Sequence, residues 1–177
     1  MIISLYAMRA RFCCCRNQFL LLILGIGLQL PLYAATSTAT VTANIVRPIS
    51  MSTQNGMEFN DVESENSAGT VVLSPNGSRI ATGGIGIKSS KGGEPATFKV
   101  EGEPNAVYTI SLPPSVVMTD SVGNTMIVDN FTSLPAAIGS LDTTGQQTLY
   151  VGGTLNVKKH QEYGPYSGAM SVTIQYN

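Results

Sequence analysis

His160 is the only histidine in the chain, so chemistry built on imidazole has to start there. It follows Lys158 and Lys159 and precedes a Gly-Pro turn. Zinc needs three or four His, Cys or carboxylate ligands, and a nucleophilic Ser or Cys needs a base beside it. One histidine flanked by lysines leaves almost no material for either set, and His160 reads as a solvated loop residue. Asp61, Glu63 and Glu65 alternate and carry oxygens of the kind calcium takes. They lack the glycine-spaced loop of a calcium motif, and Asp61 to Gly69 reads as an exposed polar loop. Gly83-Gly-Ile-Gly86 has the glycine density of a phosphate loop, but no helix follows to present its amides to an anion. No pair of carboxylates has a setting for acid–base work. The expectation is a protein that is not an enzyme and carries neither metal nor cofactor.

What the chain offers instead is strand pattern, and the N-terminus must first be set aside. Arg9, Arg11 and Arg16 precede an apolar run from Phe19 to Leu32, and Leu32-Tyr-Ala34 is a small-residue cleavage signal, with Ala35 the other option. The run is shorter than the ~20 residues of a membrane span and a polar Thr/Ser stretch follows, so residues 1–34 read as a signal peptide. Cys13, Cys14 and Cys15 all fall inside it, which leaves the exported chain without a disulfide. Loss of the three arginines takes ten basic residues to seven against eleven acidic ones, a net charge of −4. No basic patch for nucleic acid and no basic amphipathic helix for a membrane surface is present.

The exported part reads as many short strands separated by Gly, Pro and Asn turns, with no apolar period of 3.6 residues. Residues 36–46 alternate, with Ala39, Val41, Ala43 and Ile45 on one side and Thr38, Thr40, Thr42 and Asn44 on the other, until Pro48 interrupts. Asn76-Gly77 centres a hairpin. Ala96–Val100 and Ala106–Leu112 alternate, and Pro113-Pro114 ends the second. Residues 147–157 form one long strand, with a bulge expected at Gly152-Gly153. The fold class is all-β, an immunoglobulin-like sandwich.

A last strand is expected over Gly168–Asn177, with Met170, Val172, Ile174 and Tyr176 on its core face. Tyr166 stands at its entrance, where immunoglobulin-like folds place a tyrosine that ties down the corner before the sixth strand. On that assignment the sandwich lacks its seventh strand. The other reading is an ordinary last strand of a closed sandwich.

Several segments carry a resemblance. Val72-Leu-Ser-Pro-Asn-Gly-Ser-Arg79, Phe98-Lys-Val-Glu-Gly-Glu-Pro-Asn-Ala106, Leu149-Tyr-Val-Gly-Gly-Thr-Leu155 and Val172-Thr-Ile-Gln-Tyr-Asn177 resemble the bacterial family called domain of unknown function 4402. The two ends are similar to those of chaperone–usher pilus subunits, which have a penultimate tyrosine, here Tyr176, an upstream glycine, here Gly164, and an alternating N-terminal extension, here residues 35–46. That similarity implies an incomplete sandwich, residues 47–177, whose groove is filled first by a periplasmic chaperone and then by a neighbouring copy's extension. Ala39, Val41, Ala43 and Ile45 would be the donor face, and Met170, Val172, Ile174 and Tyr176 the acceptor. The implied partners are copies of the chain, the chaperone and an outer-membrane usher. The implied location is the cell surface, reached through the periplasm. The paired cysteines of many such subunits are missing. The alternatives are residues 35–46 as an ordinary first strand or a disordered leader, and the whole as a monomeric secreted or surface-displayed binding module.

Overall fold

Short glycine turns cut the chain into strands. Ser74-Pro-Asn-Gly-Ser78, Asp120-Ser-Val-Gly-Asn124 and Asp142-Thr-Thr-Gly-Gln146 share one construction. The amide of the first residue donates to the carbonyl of the last at 2.9, 3.1 and 3.0 Å. The glycine before that last residue takes a φ of +85°, +99° and +80°. A three-residue hairpin loop needs a left-handed position at its end, and glycine fills it without a Cβ penalty.

The computed structural model describes residues 33–88 and 91–177. The expected leader, apart from Tyr33 and Ala34, lies outside the described residues, and so do its three cysteines. The chain divides after Thr42, and the regular structure of the described residues falls in the unit from Ala43 on. The described residues form ten strands and no helix. They are β1 (Ser50–Asn55), β2 (Val62–Leu73), β3 (Arg79–Ile87), β4 (Ala96–Glu101), β5 (Val107–Ser111), β6 (Ser115–Thr119), β7 (Thr125–Leu134), β8 (Ile138–Ser140), β9 (Gln146–Val157) and β10 (Thr173–Tyr176).

The long strand β9 organises a seven-stranded sheet. Its first half pairs with β4, from Glu101 opposite Gln146 to Ala96 opposite Val151. Its second half pairs with β2, from Leu73 opposite Gly153 to Gly69 opposite Val157. Since β7 runs beside both halves, β4 and β2 share the opposite edge. The sheet is extended by β1 beside β4, β3 beside β2 and β6 beside β7. A second sheet has the order β10-β5-β8. The architecture is a β-sandwich.

The core has two centres. Ala96, Phe98, Val100, Leu149 and Val151 of the large sheet meet Tyr108 and Ile110 of the small one. Val71, Leu73, Met126, Val128, Leu155 and Val157 form the other centre with Phe59 and Ile85. Met57 and Phe131 pack against both.

Four expectations are corrected here. Residues 36–46 form no strand; 33–49 are without regular structure. The polar stretch from Asp61 is no loop but the first half of β2, held by β3, with Val62 opposite Ile87 and a register shift between Ser64 and Gly69. The bulge lies on β7 instead of β9. Inward residues of β9 keep odd numbers from Leu149 to Val157, straight through Gly153, whereas β7 turns Met126 and Val128 inward and then Phe131. The extra residue sits near Asn130, whose φ is +47°. Finally, β10 is shorter than expected. Continuing its register with β5 would set Ser171 and Met170 opposite Pro113 and Pro114, which have no N–H to give.

Candidate interaction surface

The residues that could do chemistry stay apart. His160 has a φ of +55° and is exposed in the turn after β9. Glu63 lies on β2 and pairs with Lys88 at 2.5 Å. Asp61 precedes the strand, and Glu65 falls on it. Gly83-Gly-Ile-Gly86 is paired β3 backbone, where a Cβ on Gly83 would lie 2.5 Å from the Ala68 carbonyl. Among the described residues no three His, Cys, Asp or Glu side chains are grouped to hold a metal.

A different surface is built by β10. It pairs with β5 alone, from Thr173 opposite Ser111 to Tyr176 opposite Tyr108. Among the described residues nothing pairs with its other side. Met170, Val172, Ile174 and Tyr176 all turn to the core yet remain half-buried, while Ser171, Thr173 and Gln175 are exposed. In the facing sheet, β1 is also an edge strand, bonded among the described residues only to β4. Met51 of β1, with Ile49 just before the strand and Met57 just beyond it, is half-buried against the same core centre, as are those two. Edge strands of opposite sheets thus leave one apolar cluster incompletely covered. Ile49, Met51 and Met57 are lining residues not expected from the sequence, because nothing local marks which strands become edges.

The β1 and β10 ends are joined at one corner. The Tyr176 hydroxyl donates to the Arg47 carbonyl at 2.8 Å and accepts the Glu103 amide at 2.6 Å. Arg47 in turn donates its own amide to the Glu103 carboxylate at 2.9 Å. Gly102 allows this, because a Cβ there would stand 2.2 Å from the Tyr176 hydroxyl. Behind it, the Asp142 loop braces the corner: Gly102 donates to the Gly145 carbonyl at 2.8 Å, and Asn105 to that of Asp142 at 3.0 Å.

Tyr166 lies upstream of β10, at the other core centre. Its hydroxyl donates to the Glu162 carbonyl at 2.9 Å and accepts from the Gln161 side chain at 2.8 Å. These bonds hold the phenol against its own upstream backbone. Gly164 between them has a φ of +144°, a conformation only glycine adopts readily. Beside Tyr166 is a half-open groove of about 480 Å³, walled by Phe59, Val62, Met118, Met126 and Tyr163 among others.

The expected donor segment has no regular structure. Ala39, Val41, Ala43 and Ile45 are exposed, Val41 at 93% and Ile45 at 95%. A family model described as a domain of unknown function, DUF4402, matches residues 49–176. The chain belongs to that family. The DUF4402 stretch takes in β1 through β10 and begins just past Pro48, so the exposed segment precedes it. No curated protein and no solved structure matches the chain.

Proposed function

We propose that this chain is a structural subunit of a bacterial surface fibre, assembled when residues 35–46 of one copy complete the sandwich of the next. The supporting observation is the open side of β10, whose core-facing side chains are half-buried beside an unpaired row of backbone groups. Isolated edges are commonly blunted by Lys or Pro. Thr173-Ile-Gln-Tyr176 has neither. An added strand would satisfy those backbone groups and cover the cluster between β1 and β10.

The exposed segment has the chemistry to be that strand. Twelve extended residues at ~3.3 Å each reach ~40 Å, beyond the ~20 Å of a typical strand. Burial of Val41 and Ile45 would contribute about 1.5–3 kcal/mol each, with less from Ala39 and Ala43. Export to the cell surface, with a periplasmic chaperone holding the groove and an outer-membrane usher ordering addition, belongs to the same proposal. The secreted protein is expected to give a ladder of multimers in detergent gels without heating, and monomer after boiling. Monomer throughout would exclude a fibre.

A second reading rests on the 480 Å³ groove beside Tyr166, within the usual range for a small-ligand site. It makes the protein a monomeric binding module. Saturable binding of a soluble ligand by a chain that never multimerises would establish it.

A further inference from the structure

We infer that the Arg47–Pro48 corner steers the N-terminal segment out of its own groove, so that the acceptor is a second copy of this chain. The inference rests on the strand-exchange reading above and specifies what that reading leaves open: why the chain does not fill itself.

Both backbone groups of Arg47 are held by distant parts of the fold. Its carbonyl is bonded to Tyr176 at the end of β10, and its amide to Glu103 in the turn between β4 and β5. Arg47 is therefore a fixed point where the chain entering β1 meets the end of β10. To fill that groove itself, the segment would have to reverse over Val46-Arg47-Pro48-Ile49 and run back between β1 and β10. Two features oppose the reversal. Proline is disfavoured at the second central position of the common tight turn, and it pushes the residue before it toward extended backbone. Reversal would also have to release Arg47 from its partners.

Direction adds a third obstacle. From Arg47, β1 runs away from the end of β10. A folded-back segment would pair antiparallel with β1 and hence run parallel to β10, the slightly weaker ladder. A segment from another copy has no such tether and can run antiparallel.

The test uses the full secreted chain, Pro48→Gly combined with Tyr176→Phe, and Pro48→Ala alone. Three readouts are taken: the multimer-to-monomer ratio in unheated gels, hydrogen exchange of amides 36–46 in the monomer, and capture of a synthetic peptide of residues 35–46. The wild-type monomer should expose those amides and capture the peptide. In the double variant the ratio should fall at least tenfold, the amides should become protected, and capture should cease. A double variant that polymerises like the wild type with its amides unprotected overturns the inference. Should that variant not be secreted, Pro48→Ala keeps the Tyr176 bonds and should lower the ratio about threefold; an unchanged ratio is then the refutation. Peptide capture by the wild type with no change in either variant removes the corner's role and leaves strand exchange standing. A wild type that neither multimerises nor captures the peptide removes both.

Discussion

Gly102 has room for a hydrogen and little more. A methyl there would meet the Tyr176 hydroxyl at 2.2 Å and Leu141 at 2.9 Å, so Gly102→Ala has to push the phenol off Arg47 and Glu103. Two hydrogen bonds at about 0.5–1.5 kcal/mol each set the expected loss at about 1–3 kcal/mol in urea unfolding. Tyr176→Phe breaks the same bonds, and the double variant should lose less than the sum of the two. The neighbouring loop supplies a pH test. The Thr144 hydroxyl and the Gln146 amide, against some desolvation, hold the Asp142 carboxyl below its ordinary value. Desolvation pushes Asp120 up but is outweighed by the Asn124 side chain and by the amides of Val122, Asn124 and Gly123, which lower it. A carboxyl with a depressed folded pKa lends stability that is complete above its unfolded value, about 3.9, and is lost as pH falls through the folded value. Unfolding free energy should therefore decline below about pH 4, and Asp142→Asn should flatten that decline in denaturant titrations at pH 6, 4 and 3.

At the scale of elements, β4, β5 and β9 were legible because each buries one face, and burial on one face writes a two-residue period into the sequence. The first half of β2 was not, because its residues are polar and its strand character comes from β3 alongside it. The same limit hid the true bulge. Glycines at 152 and 153 suggested an irregular strand, yet β9 is straight there, and the glycines serve close approach where its partner changes from β4 to β2. A Cβ on Gly152 would lie 2.2 Å from the Leu73 carbonyl, and one on Gly153 would lie 2.9 Å from the Phe131 ring. Both contacts are tertiary, and neither leaves a local mark. In the surface around β10, the face of the last strand was readable, while Ile49, Met51 and Met57 opposite it depend on which strands become edges. Gly152→Ala is expected to cost about 3 kcal/mol, the upper end for overpacking, because the obstacles are all backbone. Gly56→Ala meets nothing within 4 Å and should stay within about 0.5 kcal/mol in the same denaturation series.

For the molecule as a whole, the decisive pairing is between what is left uncovered and what is left over. An apolar cluster flanked by two edge strands would draw in some strand, and the segment ahead of β1 alternates in the manner of one. Stability of the lone domain should be indifferent to that segment, since Val41 and Ile45 are almost fully exposed. Assembly should depend on it. A carboxylate carried into an apolar groove without a partner costs several kcal/mol, more than the valine or isoleucine it replaces contributes. Val41→Asp and Ile45→Asp are therefore expected to abolish the multimer ladder while leaving secretion normal and monomer unfolding within about 0.5 kcal/mol of wild type. Val122→Asp, at another largely exposed valine in the β6–β7 loop, is the control and should leave the ladder intact. If the donor-face variants polymerise as the control does, subunits are joined through some other surface. If all three variants lose the ladder together, added charge alone disrupts assembly and the donor face has no special standing. Only the split result, with Val41 and Ile45 sensitive and Val122 not, assigns the joining of subunits to residues 35–46.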